Sequence, residues 1–146
     1  MAESARRAEL LESAYQHTLE HGLVSALLER ARADELALLQ AVRHERGTLA
    51  GAAVSLWRWL AAPEHSRLLA LWIEAYARSL VEPDGPWAGF AADTVEDWLG
   101  LLAGFAGDPV ERTLVLAALR GAMLDLLATG DRARITPAVE RLVVRS

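Results

Sequence analysis

The chain contains no cysteine and no lysine. Without cysteine there are no disulfides, thiolate metal sites or thiol nucleophiles, and the composition fits a reducing cytoplasm. Without lysine, all 15 basic residues are arginine, which we read as a coding preference rather than as chemistry. The net charge is -5 and the arginines are dispersed, which is not the electrostatic footprint of a nucleic-acid-binding domain. Long apolar runs are missing too. The richest, Leu114 to Ala128, is interrupted by Arg120 and Asp125, and a membrane span needs roughly 18 or more uninterrupted apolar residues. The opening Met1 to Arg7 lacks the apolar stretch and cleavage site of a signal peptide. No serine sits in a G-x-S-x-G setting and no glycine-rich phosphate loop is present. A cytoplasmic protein without catalytic machinery, cofactor or membrane partner is expected.

What the sequence has is helix. Alanine and leucine recur at helical spacing, and strand alternation is nearly absent. The pattern predicts an all-α fold of about seven helices. The first runs from about Glu3 to His21 and is expected to end on Gly22 as a left-handed cap. The second runs from about Val24 to Glu45, before Gly47. The third carries Leu49, Ala53, Leu56, Trp57 and Leu60, and Pro63 stops it and opens the fourth. Leu68, Leu69, Trp72, Ile73, Tyr76 and Leu80 form the inward face of the fourth. After the loop Glu82 to Pro86, the fifth spans about Trp87 to Phe105, with Phe90, Val95, Trp98, Leu99, Leu102 and Phe105 inward. Asp108, Pro109 and Glu111 read as the capping box of a sixth helix ending near Gly130. Thr136 and Pro137 are expected to start a short seventh, to about Val144.

The sixth helix is apolar on nearly every side. Leu114 to Leu119 contains no polar residue, and Met123, Leu124, Leu126 and Leu127 continue the pattern. Such a helix must be buried all round, either at the centre of its own domain or against a second copy of the chain. Ala117, Ala118, Gly121 and Ala122 let another helix come close, and we favour the second copy.

Two groups of residues invite a chemical reading. His17, Glu20 and His21 match the spacing H-x-x-E-H of an inverted zinc-protease motif, but no third ligand is evident. A helix end, with His21 at the negative dipole, explains them better, so no metal is expected. Trp57, Trp72 and Trp98 lie on the apolar faces of three consecutive helices. With Leu60, Tyr76, Phe90 and Leu102 they either line a ligand pocket between helices or fill a core. Trp59 and Trp87 are expected at a surface or in a loop, Glu74 and Arg78 as an exposed pair, and His65 without a partner.

From about Glu29 to the end the chain resembles the TetR family of bacterial transcriptional regulators. The likeness lies in Leu119 to Arg134, including Ala128-Thr129-Gly130-Asp131, then in Val139 to Leu142, Arg67 to Tyr76 and Glu96 to Leu99. Arg7 to Leu23 resembles the family's first helix. The segment that follows, from Val24, resembles the linker helix that in the family comes after a helix-turn-helix. The DNA-reading turn has no counterpart between Leu23 and Val24, so DNA is a partner only if that part is supplied. The resemblance implies a remnant of the DNA-binding region over residues 1–46 and an effector-binding, dimerising domain over 47–146. It implies a small apolar or aromatic effector in the tryptophan cluster. It also implies a homodimer through the last two helices, with Leu116, Ala118, Leu119, Gly121, Ala122, Met123, Leu126, Val139, Leu142 and Val143 at the seam. The alternative is a module that binds no DNA and instead holds a ligand, or blocks a full-length regulator by pairing with it.

Overall fold

A computed structural model describes residues 47–145, with side chains to Leu142, together with Arg6, Gly22, Ala26, Glu29, Arg30, Ala33, Asp34 and Ala37. The chain divides into two compact units, Met1–Glu35 and Leu36–Ser146. In the first unit the described residues are helical, and Arg30 Nε meets Asp34 Oδ2 at 3.2 Å, one turn apart. Gly22 is itself helical and does not have a left-handed φ, so it is not the predicted cap. His17, Glu20, His21, Leu23 and Val24 lie outside the described residues.

Over residues 47–145 the second unit is all-helical, with five α-helices: α1 (Leu49–Leu60), α2 (Ser66–Val81), α3 (Phe90–Leu102), α4 (Pro109–Thr129) and α5 (Arg132–Arg145). Thr48 caps α1, its hydroxyl accepting from Gly51 N–H at 3.1 Å. The buried residues of α1 are Leu49, Ala52, Ala53, Leu56, Trp57 and Leu60, a stripe at helical spacing. Pro63 opens a short 3-10 turn, Pro63–His65, rather than α2 itself. Gly89 delays α3 to Phe90: its φ of 79° is left-handed, and a right-handed helix cannot run through it. Trp87 therefore sits in the preceding turn, yet it is only 5% exposed. Leu80 is 65% exposed, contrary to the expected inward face, because the last turns of α2 bury Ala75 and Ser79 instead.

Helix α4 begins with the expected capping box. Asp108 Oδ1 accepts from Val110 and Glu111 N–H, and Glu111 Oε2 accepts from Asp108 N–H at 3.0 Å. It ends at Gly130, left-handed at φ 69°. Helix α5 then begins at Arg132, earlier than predicted, and Pro137 lies within it. Asp131 outcompetes Thr136 as the start signal: its carboxylate accepts from Arg134 N–H at 3.1 Å. Arg134 also reaches back to Asp125 Oδ1 at 2.6 Å and to Asp131 Oδ2 at 3.3 Å, clamping the corner between α4 and α5.

The core gathers α1, the C-terminal half of α3, one side of α4 and the inner side of α5. Leu56, Trp57, Leu101, Leu102 and Leu119 are its largest fully buried side chains. Trp57 is 0% exposed, and an indole N–H at that depth needs an acceptor. Thr136 on α5 supplies it at 3.0 Å, so the helix that comes first among the five is pinned to the last. Helix α4 packs against each of α1, α2, α3 and α5. Among the described residues no helix is long and apolar enough to cross a membrane.

The α4–α5 corner gives a pH test. The hydrogen bond from Arg134 holds the Asp125 carboxyl below its ordinary value of 3.8. A depressed carboxyl adds stability above its unfolded-state value and loses it as pH falls through the folded-state value. Asp125→Asn should therefore lower the Tm slightly at pH 7. In thermal melts followed by circular dichroism, the gap to the unaltered chain should close as pH falls below 3.8.

Candidate functional site: an aromatic cluster around Arg120

The seven residues expected at the ligand site separate into two groups. Trp57, Leu60, Trp98 and Leu102 belong to the core, each at most 7% exposed. Trp72, Tyr76 and Phe90 gather on the other side, where α2, α3 and α4 meet. Trp72 stacks on Tyr76 with ring centroids 5.3 Å apart, and Phe90 meets Trp72 edge-on at 6.2 Å. Trp87 joins them, edge-on to Phe90 at 6.2 Å. The sequence reading left Trp87 out because it falls in a turn.

A buried serine sets this arrangement. Ser79 Oγ donates to Tyr76 C=O at 2.8 Å and accepts from Ala91 N–H at 3.1 Å. It thereby fixes the last turns of α2, which carry Tyr76, to the first turn of α3, which carries Phe90. Thr94, also buried, donates to Phe90 C=O and steadies that turn.

Into this cluster α4 projects Arg120, which the sequence reading treated only as an interruption in an apolar run. Its guanidinium carbon lies 5.2 Å from the Tyr76 ring centroid and 5.9 Å from that of Trp72. A cation over two partly desolvated rings gains on the order of 1–2 kcal/mol. Nη1 points to Tyr76 Oη at 3.5 Å. Nε and Nη2 are shut off from solvent and have no hydrogen-bond partner. The arrangement has no nucleophile or acid–base pair of its own; what it offers is a cation embedded among aromatic faces, a binding geometry.

The expected dimer residues also separate. Leu116, Leu119, Met123 and Val139 are buried in the chain's own core. Ala118, Ala122 and Leu126 are half-buried; Gly121 and Leu142 are exposed, and Val143 lies outside the described side chains. Besides Pro109, Thr113 and Thr129, the residues of α4 left in solvent form a different stripe: Val110, Leu114, Ala117, Gly121, Leu124 and Ala128. These residues alternate four and three apart, the spacing of a coiled-coil seam. Val110 is 67%, Leu114 55% and Leu124 49% exposed. The stripe is symmetric about Leu119, with Val110 matching Ala128, Leu114 matching Leu124, and Ala117 matching Gly121. Nothing lies within 4 Å of where a Cβ on Gly121 would stand.

Elsewhere, an open depression of about 410 Å³ runs along Pro137, Ala138, Arg141 and Leu142, and none of the expected ligand residues lines it. His65 has a partner after all, stacking on half-buried Trp59 at 3.9 Å with Nδ1 2.7 Å from Trp59 O. Glu74 and Arg78 form the expected exposed pair at 3.0 Å. Among the described residues no three histidine or acidic side chains are grouped to hold a metal ion. In comparisons with known proteins, no family model, no curated protein and no solved structure matches the chain.

Ser79→Ala should test the cluster's scaffold. It leaves the buried Ala91 N–H without an acceptor, which costs about 1–3 kcal/mol. Urea unfolding should show a loss of that size. A midpoint within error of the unaltered chain would mean that the serine does not hold α2 to α3.

Proposed function

We propose that this chain is the effector-sensing and dimerising part of a TetR-type regulator, or a relative of one that has lost its DNA-reading turn. It works in the bacterial cytoplasm, catalyses no reaction and pairs with a second copy of itself through α4 and α5. A small apolar or aromatic effector binds where Trp72, Tyr76 and Phe90 meet. The exposed stripe on α4 carries this reading. It is apolar, has coiled-coil spacing, and is its own mirror image about Leu119. A two-fold axis there sets each leucine against a leucine and each small residue against a small one, the self-complementarity that an isologous interface requires. The same symmetry favours a homodimer over capture of a different regulator, whose helix need not share it.

The stripe and the aromatic cluster meet on one element. Arg120 faces the rings, and the next residue, Gly121, faces outward. An effector that draws on Arg120 therefore acts on the helix that forms the seam, and so shifts the population of dimer geometries.

Multi-angle light scattering of the unaltered chain should give the dimer mass, and Gly121→Arg or Ala117→Glu should give monomer with helical content retained. Because the chain has no cysteine, the axis can also be located. Ala117→Cys mixed with Gly121→Cys should cross-link on oxidation more readily than either variant alone. A dimer mass unchanged by both charged substitutions would move the interface off this stripe.

A further inference from the structure

We infer that the effector is an apolar or aromatic carboxylate, gripped by the side-on edge of Arg120. This rests on the sensing role proposed above and names the chemistry of its ligand.

The two unpartnered nitrogens of Arg120, Nε and Nη2, are not an arbitrary pair. They form one side of the planar guanidinium, where two parallel N–H bonds match the two oxygens of a carboxylate. The third nitrogen, Nη1, already faces Tyr76 Oη. Among the described residues no acceptor bonds to the free edge. Leaving a cationic donor edge buried and unsatisfied is costly, so a chain that keeps one there calls for an anion from elsewhere. Arg112 Nε is likewise buried without a partner, but Arg112 Nη2 donates to Phe105 C=O at 3.3 Å, so among the described residues Arg120 leaves both nitrogens of one edge free whereas Arg112 does not.

The surroundings select the rest of the molecule. Trp72, Tyr76 and Phe90 present ring faces and edges, which suits an apolar body and suits a dianion such as a phosphate monoester poorly. A planar monoanion on an aromatic or aliphatic frame satisfies both the fork and the walls. Trp72 and Tyr76 are themselves half-buried rather than sealed in the core.

Isothermal titration of the full chain with phenylacetate and with the isosteric neutral phenylacetamide tests this. The acid should bind at least tenfold tighter than the amide. Arg120→Met should abolish that preference. Arg120→Lys, which keeps the charge but loses the planar fork, should retain only part of it, and it carries the comparison if the methionine variant does not fold. Equal binding of acid and amide overturns the carboxylate and leaves an aromatic effector standing. A preference that survives both substitutions overturns the role of Arg120. Binding of neither compound overturns the carboxylate and the sensing role together.

Discussion

The structure depends on one constraint: α4 is apolar around nearly its whole circumference, and among the described residues one side of it stays in solvent. The helix runs 21 residues between a capping box and a left-handed glycine, so its length is fixed by local chemistry at both ends. It packs against the other four helices, with Val115, Leu116, Leu119 and Met123 in the core. Yet Val110, Leu114 and Leu124 remain about half or more exposed. The two readings of an all-round apolar helix, central in its domain or buried by a partner, thus describe two sides of one element. The core uses one side, and the other has the spacing of a seam.

That division explains what could be read in the amino-acid sequence. The helices α1 to α4 were legible because proline, glycine and the Asp108–Glu111 pair punctuate them, and the core stripe of α1 because its apolar residues keep one face. The orientation of α4 was not. A helix without a polar side carries no signal for which side turns inward, so Leu116, Leu119 and Met123 read as well for a partner as for the core. The tryptophans pose the same problem. Trp57 and Trp72 both sit on apolar faces, and only the packing sets one on Thr136 in the core and the other beside Arg120. Proline misled at α5, where Pro137 looks like a first-turn residue until Asp131 is seen to cap the helix five residues upstream of Thr136.

The resemblance to TetR regulators read in the amino-acid sequence, which no comparison supports, has to be weighed against the same local physics. Ala128-Thr129-Gly130-Asp131 is among its sharpest parts, and each polar position there has a job in the corner. Thr129 Oγ1 donates to Asp125 C=O and accepts from Asp131 N–H, Gly130 takes the left-handed turn, and Asp131 caps α5. Any two helices joined by so short a corner profit from that chemistry. The case for a paired sensor therefore rests more firmly on the symmetric stripe and the Arg120 cluster, which the corner does not require.

Energetics show why the middle of the stripe matters more than its leucines. Fully burying a leucine stabilises by about 1.5–3 kcal/mol, and Leu114 and Leu124 are already half covered. Two such residues per copy scarcely offset the roughly 4–15 kcal/mol that association costs in lost freedom. In the dimer we propose, close backbone approach at Ala117 and Gly121 would add dispersion contacts that leucines alone would hold apart. In that proposed dimer, a seam with so narrow a margin would respond to small displacements of its helix. Arg120 stands beside Gly121 on that helix, held from the far side by Tyr76 and Trp72. On the proposed reading, an anion that satisfies its free edge would change the forces on α4 beside the small residues at the middle of the stripe.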